Sequence, residues 1–499
     1  MSSVDQPNLV IPLASSYNTR GQNASANVFT NGIDQRKVNS YYETIRNSLT
    51  GRATSYLVKR PGVVDSGSTF GTSGQNAYLV SRAPGGVSDG ASDAWVFSKS
   101  GSDLRASSST TTTVIMTDSS MTPAYVGMTS LNGTETLVFE ATDSAVGVRR
   151  TFYSTAIGTF TEITDTDFTS RVQYGNMEFM DGYGFYLSSN NRIYNSDQNT
   201  LASWGANNYI TKAITQDTGI GGLMRFVNQL LVFGDDTVEV FRNAGNATGS
   251  PLVRVPELHQ RIGLRPPDRF GGHYYAIIGQ RLFFVGRTGG GYITANNAVF
   301  AYDGARYEKV STPAIEKILA SDAGTSVNKI AFAGKPALAI AVDAVGATTQ
   351  RWLMFFPDDN EWFEWNSTVF KPVNSGRWFL GVGSNQHKLY EIQSATDNWQ
   401  DAGTDYTMTH QFKLPSDGSH RKFMSMCGVI GDTARSTSSL NVSFSDDDWQ
   451  TSFSMGAIDM TSAKKALFRC GSYSDRGVKL THTGNTELRL EKFVAKLNA

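Results

Sequence analysis

Metal binding and catalysis begin with a few residue types at fixed spacings, so the six histidines are read first. They are His259, His273, His387, His410, His420 and His482. No two form a His-x-x-x-His pair, and neither cysteine lies at ligand spacing from any of them, so no zinc site is encoded. A Gly-x-x-x-x-Gly-Lys-Ser/Thr phosphate cradle is absent. Arg287-Thr-Gly-Gly-Gly291 is glycine-rich but leads into no helical pattern, which makes it a hairpin turn rather than an anion site. There is no Gly-x-Ser-x-Gly nucleophile elbow. Carboxylates gather at Asp358, Asp359, Glu361 and Glu364, and glycoside cleavage would need a placed acid with a second carboxylate. Glu361 and Glu364 flank tryptophans in a strand-like run and are expected to face solvent. No catalytic, cofactor-binding or metal-binding residue is assigned, and the expectation is a protein that is not an enzyme.

Two short segments bear on a glycan alternative. Ser445-Asp-Asp-Asp-Trp449-Gln-Thr451 is similar to the Asp-box turns of sialidase-like propellers, and Ser196-Asp197 with Trp204 is so more faintly. Both lack the glycine and the spacing of such a box. Asp and Ser at a hairpin corner beside a packed Trp are ordinary turn chemistry. A glycan-binding or glycan-cleaving β-propeller stays open as the alternative, as does a bacterial propeller scaffold.

The elements that would position any site are read from composition and period. Of 499 residues only 18% are charged and 11% aromatic, and Gly (48) outnumbers Pro (14), a balance that suits an all-β chain. Lys and Arg number 44 against 45 Asp and Glu. That leaves no basic excess or stripe of the kind that grips nucleic-acid phosphates. A near-neutral total also gives little colloidal protection to a monomer, which points to assembly. Cys427 and Cys470 form no disulfide framework and suit a reducing compartment, although a bridge between them stays open. The first residues show no basic-then-apolar signal pattern, and no window approaches a membrane span.

Residues 1–62 read as an N-terminal extended arm and anchor, polar from Ser15 to Asn31 and aromatic from Gln35 to Glu43. From 63 to 395, strand pairs recur every ~45–50 residues, the spacing of four-stranded propeller blades. They give about six blades, seven at most. The clearest pairs are Gln229-Leu-Leu-Val-Phe-Gly234 with Thr237-Val-Glu-Val-Phe-Arg242, expected to bury one face, and the runs around Asn132-Gly133. Two packed β-sandwiches would give a similar strand list. One segment reads as a helix, Thr312 to Ala320, with Thr312 as N-cap and Pro313 at the first helical position. Residues 396–499 hold about six strands, a β-sandwich-like domain or a sheet that pairs elsewhere, and Glu487 to Lys496 alternates like an edge strand.

Several segments, in order along nearly the whole chain, resemble the nozzle proteins of short-tailed bacteriophages, also called tail hub or packaged-DNA stabilisation proteins. They are Gln35-Arg-Lys-Val-Asn-Ser-Tyr-Tyr-Glu43, Arg60-Pro-Gly-Val63, Tyr194-Asn-Ser-Asp197 with Trp204, and Phe233-Gly-Asp-Asp-Thr-Val-Glu-Val-Phe241 with Gly249-Ser-Pro251. Tyr302-Asp-Gly304, Val310-Ser-Thr-Pro-Ala-Ile-Glu316, Ser443–Trp449 and Arg489–Phe493 follow. The departures are a longer polar N-terminal arm and Pro313 in place of a frequent histidine. The resemblance implies a structural virion protein of the viral tail, assembled in the host cytoplasm into a homo-hexameric ring of β-propeller subunits. Such a ring joins the portal-adaptor complex above to a tail fibre, tailspike or needle below. It retains packaged double-stranded DNA until ejection, without binding it specifically. Neither a cofactor nor a membrane is implied.

Overall fold

The computed structural model describes residues 8–14, 36–46, 53–71, 76–82, 84, 94–143, 149–156, 159–213, 221–246, 248–264, 275–288, 296–321, 326–332, 334–342, 349–373, 378–392, 398–414, 421–447 and 449–498. The polar stretch from Ser15 to Asn31, His273, His420 and the glycines of the Arg287–Gly291 turn lie outside the described residues.

The chain forms an all-β protein built on a β-propeller. Six units follow one another along the sequence, each of four strands except the fifth, which has five. Blade 1 opens at Asn76–Arg82, blade 2 at Met121–Leu131, and blade 3 at Gln173–Met180. Blade 4 opens at Leu223–Phe226, blade 5 at Gly263–Leu264 with Tyr275–Ile278, and blade 6 at Val327–Phe332. A seventh sheet closes the circle. It takes Phe370–Pro372, Trp378–Gly381 and Lys388–Ile392 from the end of the propeller region, and Val63–Thr69 from its beginning.

Apolar clusters between neighbouring sheets weld the circle. Phe97 of blade 1 stacks on Phe139 of blade 2 at 4.9 Å. Val138 and Phe179 join blades 2 and 3, while Phe185 and Leu230 join blades 3 and 4. Phe233 meets Phe284 of blade 5 at 5.0 Å, and Phe283 meets Phe355 of blade 6 at 5.9 Å. Trp352 lies 5.3 Å from Phe370 of the closing sheet, and Leu380 and Leu389 of that sheet return to Val80 and Val96 of blade 1. Each such side chain stabilises the ring by about 1.5–3 kcal/mol when removed from water.

This stacking corrects the reading of the Gln229–Arg242 hairpin. Leu231↔Val240 and Leu230↔Phe241 pair as expected. Both faces are buried, however: Leu231 and Val240 pack towards blade 5, Leu230 and Phe241 towards blade 3. A middle strand of a blade has a neighbour on each side and so has no solvent face. The turn at Asn132-Gly133 adopts φ of 50° and 76°, both left-handed, and joins Leu131 to Thr134 as its sequence demands. The helix forms at Pro313–Ser321, with the Ile315 amide donating to Thr312 Oγ1. A second, one-turn helix at Thr166–Thr169, capped by Asp165, is too short for a periodic signal and was not expected.

The C-terminal strands divide between two sheets that face each other across the largest apolar core. In one, Arg36–Val38 lies between Glu361–Ser367 of blade 6 and Met408–Lys413, so the blade runs on into a nine-stranded sheet. The other contains Ser40–Arg46, Ala53–Lys59, Arg489–Asn498 and Lys422–Gly431. Arg489–Asn498 is not an edge: Lys422–Gly431 pairs along one side, and Asn8–Pro12 with Ala53–Lys59 along the other. Among the described residues no helix is long and apolar enough to cross a membrane.

Candidate functional site

Two buried polar clusters organise the molecule, and both use residues from distant parts of the chain. The first forms where residues 36–62, blade 6 and the C-terminal strands meet. Asn39 has φ +54°, a left-handed conformation that Asn tolerates, and it turns the chain between Arg36–Val38 and Ser40–Arg46. Its Nδ2 donates to Asn366 Oδ1 at 2.8 Å and to the Thr407 carbonyl at 2.9 Å. Its Oδ1 accepts from the Asn366 amide and from Arg60 Nε.

Arg60 is fully buried. Its five N–H groups find five acceptors: Asn39 Oδ1, the Pro61 and Asn366 carbonyls, and both carboxylate oxygens of Asp401 at 2.8 and 2.6 Å. Its guanidinium stacks 3.8 Å from the Tyr406 ring centroid, and Tyr406 donates back to the Arg60 carbonyl. A Cβ on Gly62 would stand 2.1 Å from the Gln400 carbonyl oxygen, so only glycine fits behind the arginine. Lys59 donates to the Gly484 carbonyl at 2.6 Å, and burial, then the neighbouring Arg60, bring its ammonium down to about 8.

The second cluster sits where the first strands of blades 2 to 5 approach one another. Glu178 of blade 3 accepts from Tyr275 of blade 5 at 3.0 Å and from Asn176 at 2.5 Å. That Tyr275 contact skips blade 4 and ties the first strands of blades 3 and 5 directly. Tyr125 of blade 2 is buried beside them, and its phenol is pushed well up by burial and by the Glu178 carboxylate. Burial raises Glu178 to about 8, against the hydrogen bonds from Tyr275 and Asn176. Glu140 of blade 2, also fully buried, accepts from the Met177 amide at 2.8 Å and from Arg149 at 2.7 Å. Blade 4 repeats the device: Glu239 accepts from the Ala213 amide at 3.0 Å and from Arg254 at 2.7 Å. These glutamates latch one blade to the next.

Sequence reasoning missed all of them. The available signal was one carboxylate inside an apolar run, as in Leu137-Val-Phe-Glu-Ala141, Met177-Glu-Phe-Met180 and Thr237-Val-Glu-Val240.

The residues weighed for chemistry are consumed by structure. Glu364 does not face solvent, which corrects the sequence reading. It is 1% exposed and paired with Arg36 at 2.9 Å and Arg351 at 3.3 Å, because the added strand Arg36–Val38 covers it. Glu361 holds Lys37 at 2.8 Å and Asp359 holds Lys335 at 3.0 Å, while Asp358 is exposed. In the Ser445–Thr451 turn, Asp447 accepts from Ser445 and Thr451, and Asp446 binds Arg476 through both oxygens. Asp197 accepts from Ser203 and Asn208, and Trp204 is buried with Nε1 donating to the Leu201 carbonyl. Cys427 and Cys470 are buried free thiols with sulfurs 3.5 Å apart. His410 and His482 are desolvated to about 3 and about 4. Among the described residues, no group of three His, Cys, Asp or Glu stands close enough to hold a metal ion.

A family model, Phage_stabilise, described as the β-propeller of bacteriophage P22 Gp10, matches residues 45–338, more than half of the chain. The chain belongs to the Phage_stabilise family. It is thus a structural tail protein of a bacteriophage, a component of the virion. No curated protein matches. Solved structures are similar to it only at low scores. An exo-β-1,3-galactanase from Phanerochaete chrysosporium covers 75% of this chain and 96% of its own at 10% identity and TM-score 0.31. The designed Ika8 protein covers 66% and 100% at 9% identity and 0.32, and a chain of a mitotic checkpoint complex 67% and 94% at 11% and 0.34. Scores this low carry no argument.

Proposed function

We propose that this Phage_stabilise protein is the subunit of a hexameric tail nozzle that retains packaged DNA and conducts it at ejection. The adaptor sits above the nozzle and a fibre, spike or needle below it. The observation that carries the reading is the family match over residues 45–338. Two physical features support it. The chain is balanced in charge, 44 basic against 45 acidic residues, so a wall built from it would not hold DNA by phosphate neutralisation. The propeller over 63–395 is closed by its own N-terminal strand, and its Asn366 and Ser367 bind Arg60 of residues 1–62 and Asp401 of residues 396–499, which suits a part that bears pressure.

The role is structural rather than enzymatic. The two buried carboxylates nearest the first strands, Glu178 and Glu140, are already bound to protein donors rather than free for glycan cleavage. Negative-stain imaging and light scattering of the purified protein, alone and with its adaptor, test the proposal. Six-fold rings are expected, and monomers under both conditions would overturn it. Sugar release from host polysaccharide, lost in Glu178→Gln, would favour the glycosidase reading instead.

A further inference from the structure

The chain has two cysteines in 499 residues, 43 positions apart, and folding sets them against each other. Cys427 lies within Lys422–Gly431, opposite Leu467 on one side and Ala495 on the other. Cys470 lies in the short gap between Ala466–Phe468 and Ser472–Tyr473, the two pieces that pair with Lys422–Gly431 at the end of its sheet. Arg469 at φ 62° and Gly471 at φ 76° bend the backbone on either side of Cys470. The Arg469 amide donates to the Ser425 carbonyl at 2.9 Å and the Met424 amide to the Gly471 carbonyl at 2.8 Å, so the bend is pinned at both ends. This bulge brings Cys470 into the large core beside Cys427, and the two sulfurs stand 3.5 Å apart. Arg476 is buried next to the pair, donates to the Cys470 carbonyl at 2.7 Å and is held by both oxygens of Asp446.

We propose that Cys427 and Cys470 are a redox clasp, open as two thiols in the reduced chain and closed to one intrachain disulfide by a peroxide. Disulfides persist outside the reducing cell interior, where a virion component spends its free life. The pieces on either side of Cys470 are three and two residues long at the sheet end, so local opening there admits a small oxidant. Cys470 reacts first. Its hydrogen bond with Cys427 and then the charge of Arg476 hold its thiol below the ordinary range against burial, while the same hydrogen bond and burial push Cys427 up. The Cys470 thiolate attacks one peroxide oxygen; an S–O bond forms, the O–O bond breaks and hydroxide leaves. That hydroxide takes the Cys427 proton, and the Cys427 sulfur attacks Cys470. An S–S bond forms, the S–O bond breaks, and the departing hydroxide takes the proton that Cys470 gave up. Two electrons pass from the sulfurs to the peroxide, which ends as two waters. The loop so closed, residues 427–470, contains Ser439–Ser445 and Phe453–Asp459 of the facing sheet. The bridge therefore fastens the excursion of chain that joins the two sheets.

The test uses the full chain, purified reduced, exposed to hydrogen peroxide, alkylated and cut with trypsin. Cleavage after Lys422, Arg435, Arg469 and Arg476 puts the two cysteines in separate peptides, 423–435 and 470–476. Before treatment both cysteines should be alkylated. After it, mass spectrometry should find the two peptides linked, two hydrogens lighter than their sum and separated again by dithiothreitol, while the chain keeps its monomer size on a non-reducing denaturing gel. The melting temperature should rise by at least about 3 °C on treatment, and Cys470→Ala should show no rise. Should Cys470→Ala misfold, the wild-type peptide map and melting shift decide. Cysteines that stay alkylatable, oxidation to sulfinic or sulfonic acid without a linked peptide, or a link only between two chains would each overturn the clasp. A linked peptide with an unchanged melting temperature would overturn it too, since the bridge would then fasten nothing.

Discussion

Arg60 shows how a single residue can hold three parts of a chain together. A buried guanidinium is costly to desolvate, and the cost is offset only when every donor is matched, as here. Removing one partner leaves an uncompensated charge, so Asp401→Ala should lower unfolding stability by about 3–5 kcal/mol. Arg60→Ala should cost as much, and the double variant far less than the sum, since the residues act as one unit. Additive losses in denaturant titrations would contradict the geometry. Glu178 makes a different residue-scale prediction. Its folded value of about 8 lies above the ordinary 4.5. A raised value means that the folded state binds the proton more tightly, so its contribution is full below about pH 4.5 and is lost as pH rises through 8. The groups facing it are Tyr275, Asn176, Tyr125, Glu140 and Arg225. Glu178→Gln should therefore flatten the fall in stability between pH 5 and 8, and an unchanged slope in pH-dependent melting would place that proton elsewhere.

Among elements, the strand Val63–Thr69 matters out of proportion to its length, because it completes the closing sheet from the far end of the propeller sequence. Its Val63 is fully buried. Val63→Asp should open the ring at that seam, raising hydrogen exchange in Trp378–Gly381 and Ala94–Ser100 before exchange rises in Gln229–Phe233. Uniform exchange across all blades would argue against a local seam. The six consecutive blades were legible because each is a local meander with its own turns, as at Asn132-Gly133. The closing sheet blurred the count, since three of its strands and the fourth lie more than 300 residues apart. For the same reason Arg36–Val38 read as part of an arm: three residues carry no periodic signal, and their partners lie at 364 and 409–411.

For the whole molecule, the sheet that runs from blade 6 through Arg36–Val38 into the C-terminal strands predicts one cooperative unit. Calorimetry of the full chain should show a single dominant transition. Two well-separated ones would mean that the shared sheet does not couple its two ends. The same continuity would let a load on the C-terminal face pass into the propeller wall without crossing a flexible linker.

The residues alone determined the all-β class, the repeating blades, the hairpin at Gln229–Arg242 and the kinship of segments such as Arg60-Pro-Gly-Val63, because turn chemistry and two-residue periodicity are local properties. Only the tertiary structure decided that both faces of that hairpin are buried, that Glu364 lies under a strand from residue 36, and that Arg60, Asn39 and Asp401 share one knot. Burial and charge pairing depend on which distant strands become neighbours, and local pattern does not encode that choice.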